Sequence, residues 1–164
     1  MITSAFTCTG PYAILILLGI KRTENRSVRP IPDKGRCAIS CSKSFSKEKY
    51  GNFIQWASRA LTPEQFELLP AWRDVKDWPG TLVGVCDYEV RERNDLRLES
   101  GDASFSWNDE SNRWDEGFPY WWDLSNVVVL EHPIPCRGSV GMWRLPQNLG
   151  MQIMTCLGKS PLPC

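Results

Sequence analysis

Apolar positions in this chain come in short runs, and the spacing within each run changes from one to the next. Ile2 to Thr7 reads as an opening strand, followed by a Thr-Gly-Pro turn. Pro11 suits the first position of a helix. Tyr12 to Leu18 then gives about two turns, ended by Gly19; the β-branched Ile14 and Ile16 keep a strand open as the alternative. Residues 36–42 alternate as a strand, with Cys37, Ile39 and Cys41 on one face. Residues 46–60 place Tyr50, Phe53, Ile54 and Ala57 on one helical stripe. Thr62-Pro63-Glu64-Gln65 combines an N-cap, an N1 proline and a capping-box residue, predicting a second helix to about Leu69.

Further along, Thr81 to Val90 is the clearest buried strand. Residues 91–117 turn polar, with scattered Trp, and read as a long excursion or a short hairpin. Tyr120 to Glu131 predicts a long strand, because Val127-Val128-Val129-Leu130 has high β propensity. Pro133 and Pro135 are expected to break it. Gly138 and Gly141 mark a turn, Met142 to Leu145 closes the sheet, and Asn148 to Leu157 forms a terminal helix. Several strands with interspersed helices define an α+β fold with a small mixed or closed sheet.

A length of 164 residues predicts one domain, over 1–157, with a tail at 158–164. The 42% hydrophobic and 23% charged content excludes fibrous and disordered classes. Net charge is zero, yet its distribution is uneven. Residues 20–50 hold nine Lys or Arg against three acids, and residues 87–116 hold ten acids against four Arg. A local basic surface for nucleic acid follows, or else the two segments neutralise each other across the fold. Seven irregularly spaced cysteines, an odd number, predict a reducing compartment, the cytoplasm. The apolar run Ala13–Leu18 is far short of the roughly 20 residues that cross a bilayer, so no membrane partner is expected.

Candidate chemistry concentrates in Lys21-Arg22-Thr23-Glu24-Asn25-Arg26. If this stretch is extended, Arg22, Glu24 and Arg26 share one face, with Lys21 at the bend or on the other face, near the surface. Such a trio can hold a phosphate and accept a hydrogen bond from a base amine; a surface ion-pair cluster on an edge strand is the competing reading. Other chemistries have less to work with. His132 is the single histidine. Cys37 and Cys41, on a strand, would lie roughly 13 Å apart, too far to share one metal ion. Glycine-rich phosphate loops are absent from the sequence. No metal or other cofactor is expected.

These residues also carry a resemblance. Gly10-Pro11-Tyr12-Ala13, then Gly19-x-Lys21-x-x-Glu24-x-Arg26, resembles the signature of the ASCH domain, a relative of PUA-like RNA-binding barrels. The likeness continues through Ser40-Cys41-Ser42-Lys43 and Trp122-x-Leu124-x-Asn126. It ends at Pro133-Ile134-Pro135-x-x-Gly138-x-x-Gly141-x-Trp143. The resemblance implies a small PUA-like β-barrel with short helices packed around it, and a cleft bordered by the Lys-Glu-Arg segment. The implied ligands are single-stranded RNA or DNA, or a nucleotide or nucleoside. Tyr12, Lys21, Glu24, Arg26 and Lys43 are the candidate ligand-binding residues.

Some family members remove the acetyl group from acetylated cytidine, and others resemble ribonucleases. The alternative function is therefore a hydrolase with Lys21 and Glu24 as its catalytic groups. In the amidohydrolase pattern a Thr nucleophile stands three residues after the Lys; here that position is Glu24, and Thr23 is displaced by one. Gly10 also departs from the family, where many members have Gln. Trp122 and Trp143 are read as packing residues. Trp107 and Trp114, in the acidic stretch, are candidates for exposed contacts, including a protein partner.

Overall fold

The structure, a computed structural model, describes residues 2–92 and 117–157. The polar excursion, apart from residues 91, 92 and 117, and the expected C-terminal tail lie outside the described residues, as do Trp107 and Trp114. Six strands form one mixed sheet: β1 (Ser4–Cys8), β2 (Thr23–Arg26), β3 (Lys34–Cys41), β4 (Thr81–Glu92), β5 (Tyr120–Pro135) and β6 (Met142–Arg144). Five helices accompany them among the described residues: α1 (Gly10–Leu17), α2 (Lys47–Ala60), α3 (Pro63–Glu67), α4 (Trp72–Val75) and α5 (Gln147–Leu157). Spatial order in the sheet is β2-β5-β4-β3-β1-β6. Among the described strands, only β1 and β3 run parallel; the other pairs are antiparallel. This is the expected α+β arrangement, with one mixed sheet built as a half-barrel.

Helices cover both sheet faces, which explains why several strands read as unbroken apolar runs. Phe6, Ile39 and Val83 point into one core with Ala13–Ile16 of α1 and Phe53 and Ala57 of α2. Their neighbours Ala5, Ala38 and Leu82 point into a second core with Ile153 of α5. The period-two alternation thus divides side chains between two buried layers. Helix α1 has no solvent stripe across its middle, since Ala13, Ile14, Leu15 and Ile16 are all buried. Local signals act at α2 and α3: the Ser46 hydroxyl accepts from Lys49 N, and Thr62 and Gln65 exchange both capping-box bonds.

Two element ends and one additional element depart most from expectation. Helix α3 stops at Glu67, and the single turn α4 was not legible. Strand β5 runs through Pro133 to Pro135 instead of breaking. Its β4 partners there are Thr81 opposite Pro135 and Leu82 opposite Ile134. Cys136 N donates to Gly80 O on the β4 side, so alternation turns the proline nitrogens at 133 and 135 away from that ladder. On the other side, β2 pairs only with residues 120–123 of β5. The missing N–H groups therefore cost no ladder bond.

Gly10, the departure from the family pattern, has a packing reason. A β-carbon there would lie 2.1 Å from the ring of buried Phe45. Gly10→Ala is expected to destabilise the fold by about 1–3 kcal/mol through overpacking. In urea titrations, Gly10→Ala combined with Phe45→Ala should lose clearly less than the two single losses added together; strict additivity would contradict this contact.

Candidate functional site

Strand β2 begins just after α1. Gly19, with φ of +69°, turns the chain, and the amides of Ile20 and Lys21 both donate to Leu15 O. The strand then pairs with the start of β5, setting Glu24 opposite Trp122 and Arg26 opposite Tyr120. Direct cross-strand partners share a face, so Glu24, Arg26 and Trp122 all point inside the curled sheet.

Glu24 lies between two cations. Its Oε1 is 2.8 Å from Arg26 Nη2, and its Oε2 is 3.2 Å from Lys21 Nζ. Lys21 Nζ also donates to Thr23 O and stands 5.0 Å from the Tyr12 ring centre. Arg26 Nη2 donates to Thr7 O at 2.7 Å. The Arg26 guanidinium lies 5.6 Å from the ring centres of both Phe6 and Trp122. Those two rings meet edge to face, 5.8 Å apart. Lys21 is 1% exposed, and the side chains of Glu24 and Arg26 are 7% and 18% exposed.

A hollow of about 600 Å³ opens beside this cluster. Its walls come from the ends of β1 and β3, from β2, and from the loop after β5. Of the residues expected to bind ligand, Tyr12, Glu24, Arg26 and Lys43 line it, and Lys21 does not. Two placements are corrections. Lys21, expected near the surface, is buried behind Glu24, because its ammonium finds a carboxylate and a carbonyl inside the fold. Arg22, expected on the face of Glu24 and Arg26, is exposed and donates instead to Gly19 O. Trp122 is a core residue, and Trp143 is a packing residue whose indole N–H donates to Thr7 Oγ1.

Sequence reasoning missed several lining residues. Arg137 and Val140 occupy variable positions of the Pro-Ile-Pro to Gly-x-Trp segment, and Phe118 borders the polar excursion, so no motif marked them. The loop can lie on the strand ends because residue 138 is glycine. A β-carbon there would stand 2.7 Å from Thr7 Oγ1 and 3.1 Å from Ser40 Oγ. Exposed Phe118 and Val140 give the hollow an apolar rim.

Cys8 and Cys41, opposite each other on β1 and β3, also line the hollow. Burial pushes Cys41 up to about 12, with Cys136 adding to it. Burial first, and the Glu24 carboxylate second, raise Cys8 well above the ordinary thiol range. Both are therefore protonated near neutrality, which removes them as ready nucleophiles. No cluster of three or more His, Cys, Asp or Glu among the described residues is placed to hold a metal ion.

No family model matches this sequence, and no curated protein matches it. Solved structures do. A point mutant of the ASCH protein from Zymomonas mobilis superposes with a TM-score of 0.50 at 12% identity, covering 93% of this chain and 96% of that one. The fold of this chain is similar to that of the ASCH protein. A second mutant and the ASCH protein itself are similar at TM-scores of 0.49 and 0.48, each at 13% identity. Both matches cover 93% of this chain, and 94% and 93% of the respective neighbours. In this chain the hollow opens where β2 approaches the ends of β1 and β3. No described helix is long and apolar enough to cross a membrane.

Two outcomes test this arrangement. Glu24→Gln leaves two largely buried cations uncompensated and should cost about 3–5 kcal/mol in urea unfolding, whereas exposed Arg22→Gln should stay within about 0.5 kcal/mol. Equal effects would mean that Glu24 is not the centre of the cluster. The thiols give a pH dependence. Their folded values are raised, so their stabilisation is complete below 9.0, the ordinary value, and is lost as pH climbs towards about 12. The urea midpoint should fall across that window, more shallowly in Cys41→Ala. Iodoacetamide should label Cys8 and Cys41 at about pH 8 only after unfolding.

Proposed function

We propose that the hollow binds one unstacked base of a single-stranded nucleic acid, RNA in particular, or the same base in a free nucleotide. The carrying observation is the Glu24 carboxylate, oriented by Lys21 behind it and Arg26 beside it, at the wall of the 600 Å³ hollow. That volume falls within the ordinary range for small-ligand pockets. A carboxylate keeps acceptor capacity after two hydrogen bonds, because its two oxygens offer about four lone-pair positions. The group it suits is an exocyclic amine, the donor on cytosine, adenine and guanine that uracil lacks. Single-stranded RNA presents such edges once a base is splayed from its neighbours. Phe118, on the apolar rim, is an aromatic surface on which a base can stack, an interaction worth about 1–3 kcal/mol.

The hydrolytic alternative gains no specific support from the geometry. Lys21 does not line the hollow, and its ammonium is already engaged by Thr23 O and Glu24. Thr23, one residue before Glu24 on the strand, is set towards the opposite face by alternation.

Short single-stranded RNAs with one variable base, titrated at two salt concentrations, test the binding reading. Cytosine, adenine or guanine should bind at least about tenfold more tightly than uracil, matching the 1–3 kcal/mol of a good base contact. Affinity should fall with added salt. Indifference to the base would remove Glu24 as the reader. Acetylcytidine incubated with the protein should be recovered unchanged, and its turnover would restore the hydrolase.

A further inference from the structure

The charges that the described residues bring to the hollow do not balance. Among them, Arg26, Lys43 and Arg137 face it, and Glu24 is the one acidic lining residue. Glu24 is already met by Arg26 and, from behind, by Lys21. Neither Lys43 nor Arg137 makes an ion pair with a described residue. A concave site with this surplus attracts an anion more strongly than the neutral chain as a whole would.

The two cations are also brought together by the fold. Gly80, φ +74°, joins the end of β3 to the end of β5: its N–H donates to Cys41 O at 3.0 Å, and its carbonyl accepts from Cys136 N at 2.9 Å. Lys43 follows Cys41 by two residues, and Arg137 follows Cys136 directly. The Lys43 stem lies along Gly80, with its Cγ and Cε 2.8 and 3.1 Å from where a β-carbon would stand. A side chain at position 80 would push that stem aside. The ammonium acts on the neighbouring Cys136 thiol, where it opposes the upward push of burial. Ser42 and Ser139 also line the hollow.

We propose that Lys43 and Arg137 form a phosphate seat, so that the ligand is a nucleotide or a phosphodiester and not an uncharged nucleoside. The assignment to a nucleotide rests on the base reading of Glu24; the seat itself rests on Lys43, Arg137 and Gly80. A guanidinium fork and an ammonium suit phosphate oxygens in complementary ways, the first by paired hydrogen bonds and the second as a point charge.

Calorimetric titration with cytidine, 5′-CMP, 3′-CMP and ribose 5-phosphate separates the possibilities. One CMP isomer, that with its phosphate on the correct side of the sugar, should bind at least about tenfold more tightly than cytidine at low salt. Lys43→Gln and Arg137→Gln alter exposed side chains and should fold normally. Each should weaken CMP binding by about three- to tenfold and leave cytidine unchanged, and the double variant should bind CMP and cytidine alike. Equal binding of cytidine and both CMP isomers by the parent protein would overturn the seat while the base reading survives. Binding of ribose 5-phosphate as tight as that of CMP, and sensitive to both variants, would uphold the seat and overturn the base reading. Failure of all four probes would overturn the seat, since three of them carry a phosphate, and the base reading with it, since three carry cytosine.

Discussion

Arg26 clasps two strands that are far apart in the sheet. It stands on β2, at one edge, and its guanidinium donates to Thr7 O on β1, fifth in spatial order. A flat sheet would keep those strands apart by about four strand spacings, roughly 19 Å. The contact therefore requires the sheet to curl upon itself. The same guanidinium lies against Phe6 and Trp122, so the curl also brings two aromatic side chains together. Glu24 makes the buried charge tolerable, and Lys21 balances Glu24 from the other side. Buried ions of this kind are held at the cost of desolvation and repaid by mutual attraction, so each depends on the other two. The hollow exists because the clasp closes the half-barrel next to the ends of β1 and β3.

Glycines set how closely the remaining walls approach. Gly138 lets the loop after β5 rest on Thr7 and Ser40, and Gly80 gives the Lys43 stem its bed. The core packing serves the same end. With α1 and α2 on one face and α5 on the other, the strand ends that form the hollow are anchored from both sides. Glu24 and Arg26 thus project from a strand of the sheet, while Lys43 and Arg137 stand just past strand ends, Arg137 in the loop 137–140.

Much of the element order was legible because each signal was local. The stripe at Tyr50, Phe53, Ile54 and Ala57, the Thr62 capping box and the apolar run at Thr81 need no knowledge of distant residues. Pro133 and Pro135 misled for the complementary reason. A proline ends a strand only when its absent N–H was needed, and that depends on which side of β5 carries a neighbour. Lys21 misled in the same way. A lysine after an apolar helix reads as a surface residue until Glu24 and Thr23 O are seen to meet it inside.

Taken alone, the sequence determined the α+β class, the order of most elements and the segment in which charge is concentrated, because periodicity, caps and motif spacing act over a few residues. Tertiary structure alone decided that Lys21 lies behind the hollow and Arg22 outside it, and that Lys43 and Arg137, 94 positions apart, line one hollow. Those outcomes depend on how far the sheet curls and on which strand ends Gly80 joins, and long-range pairing fixes both.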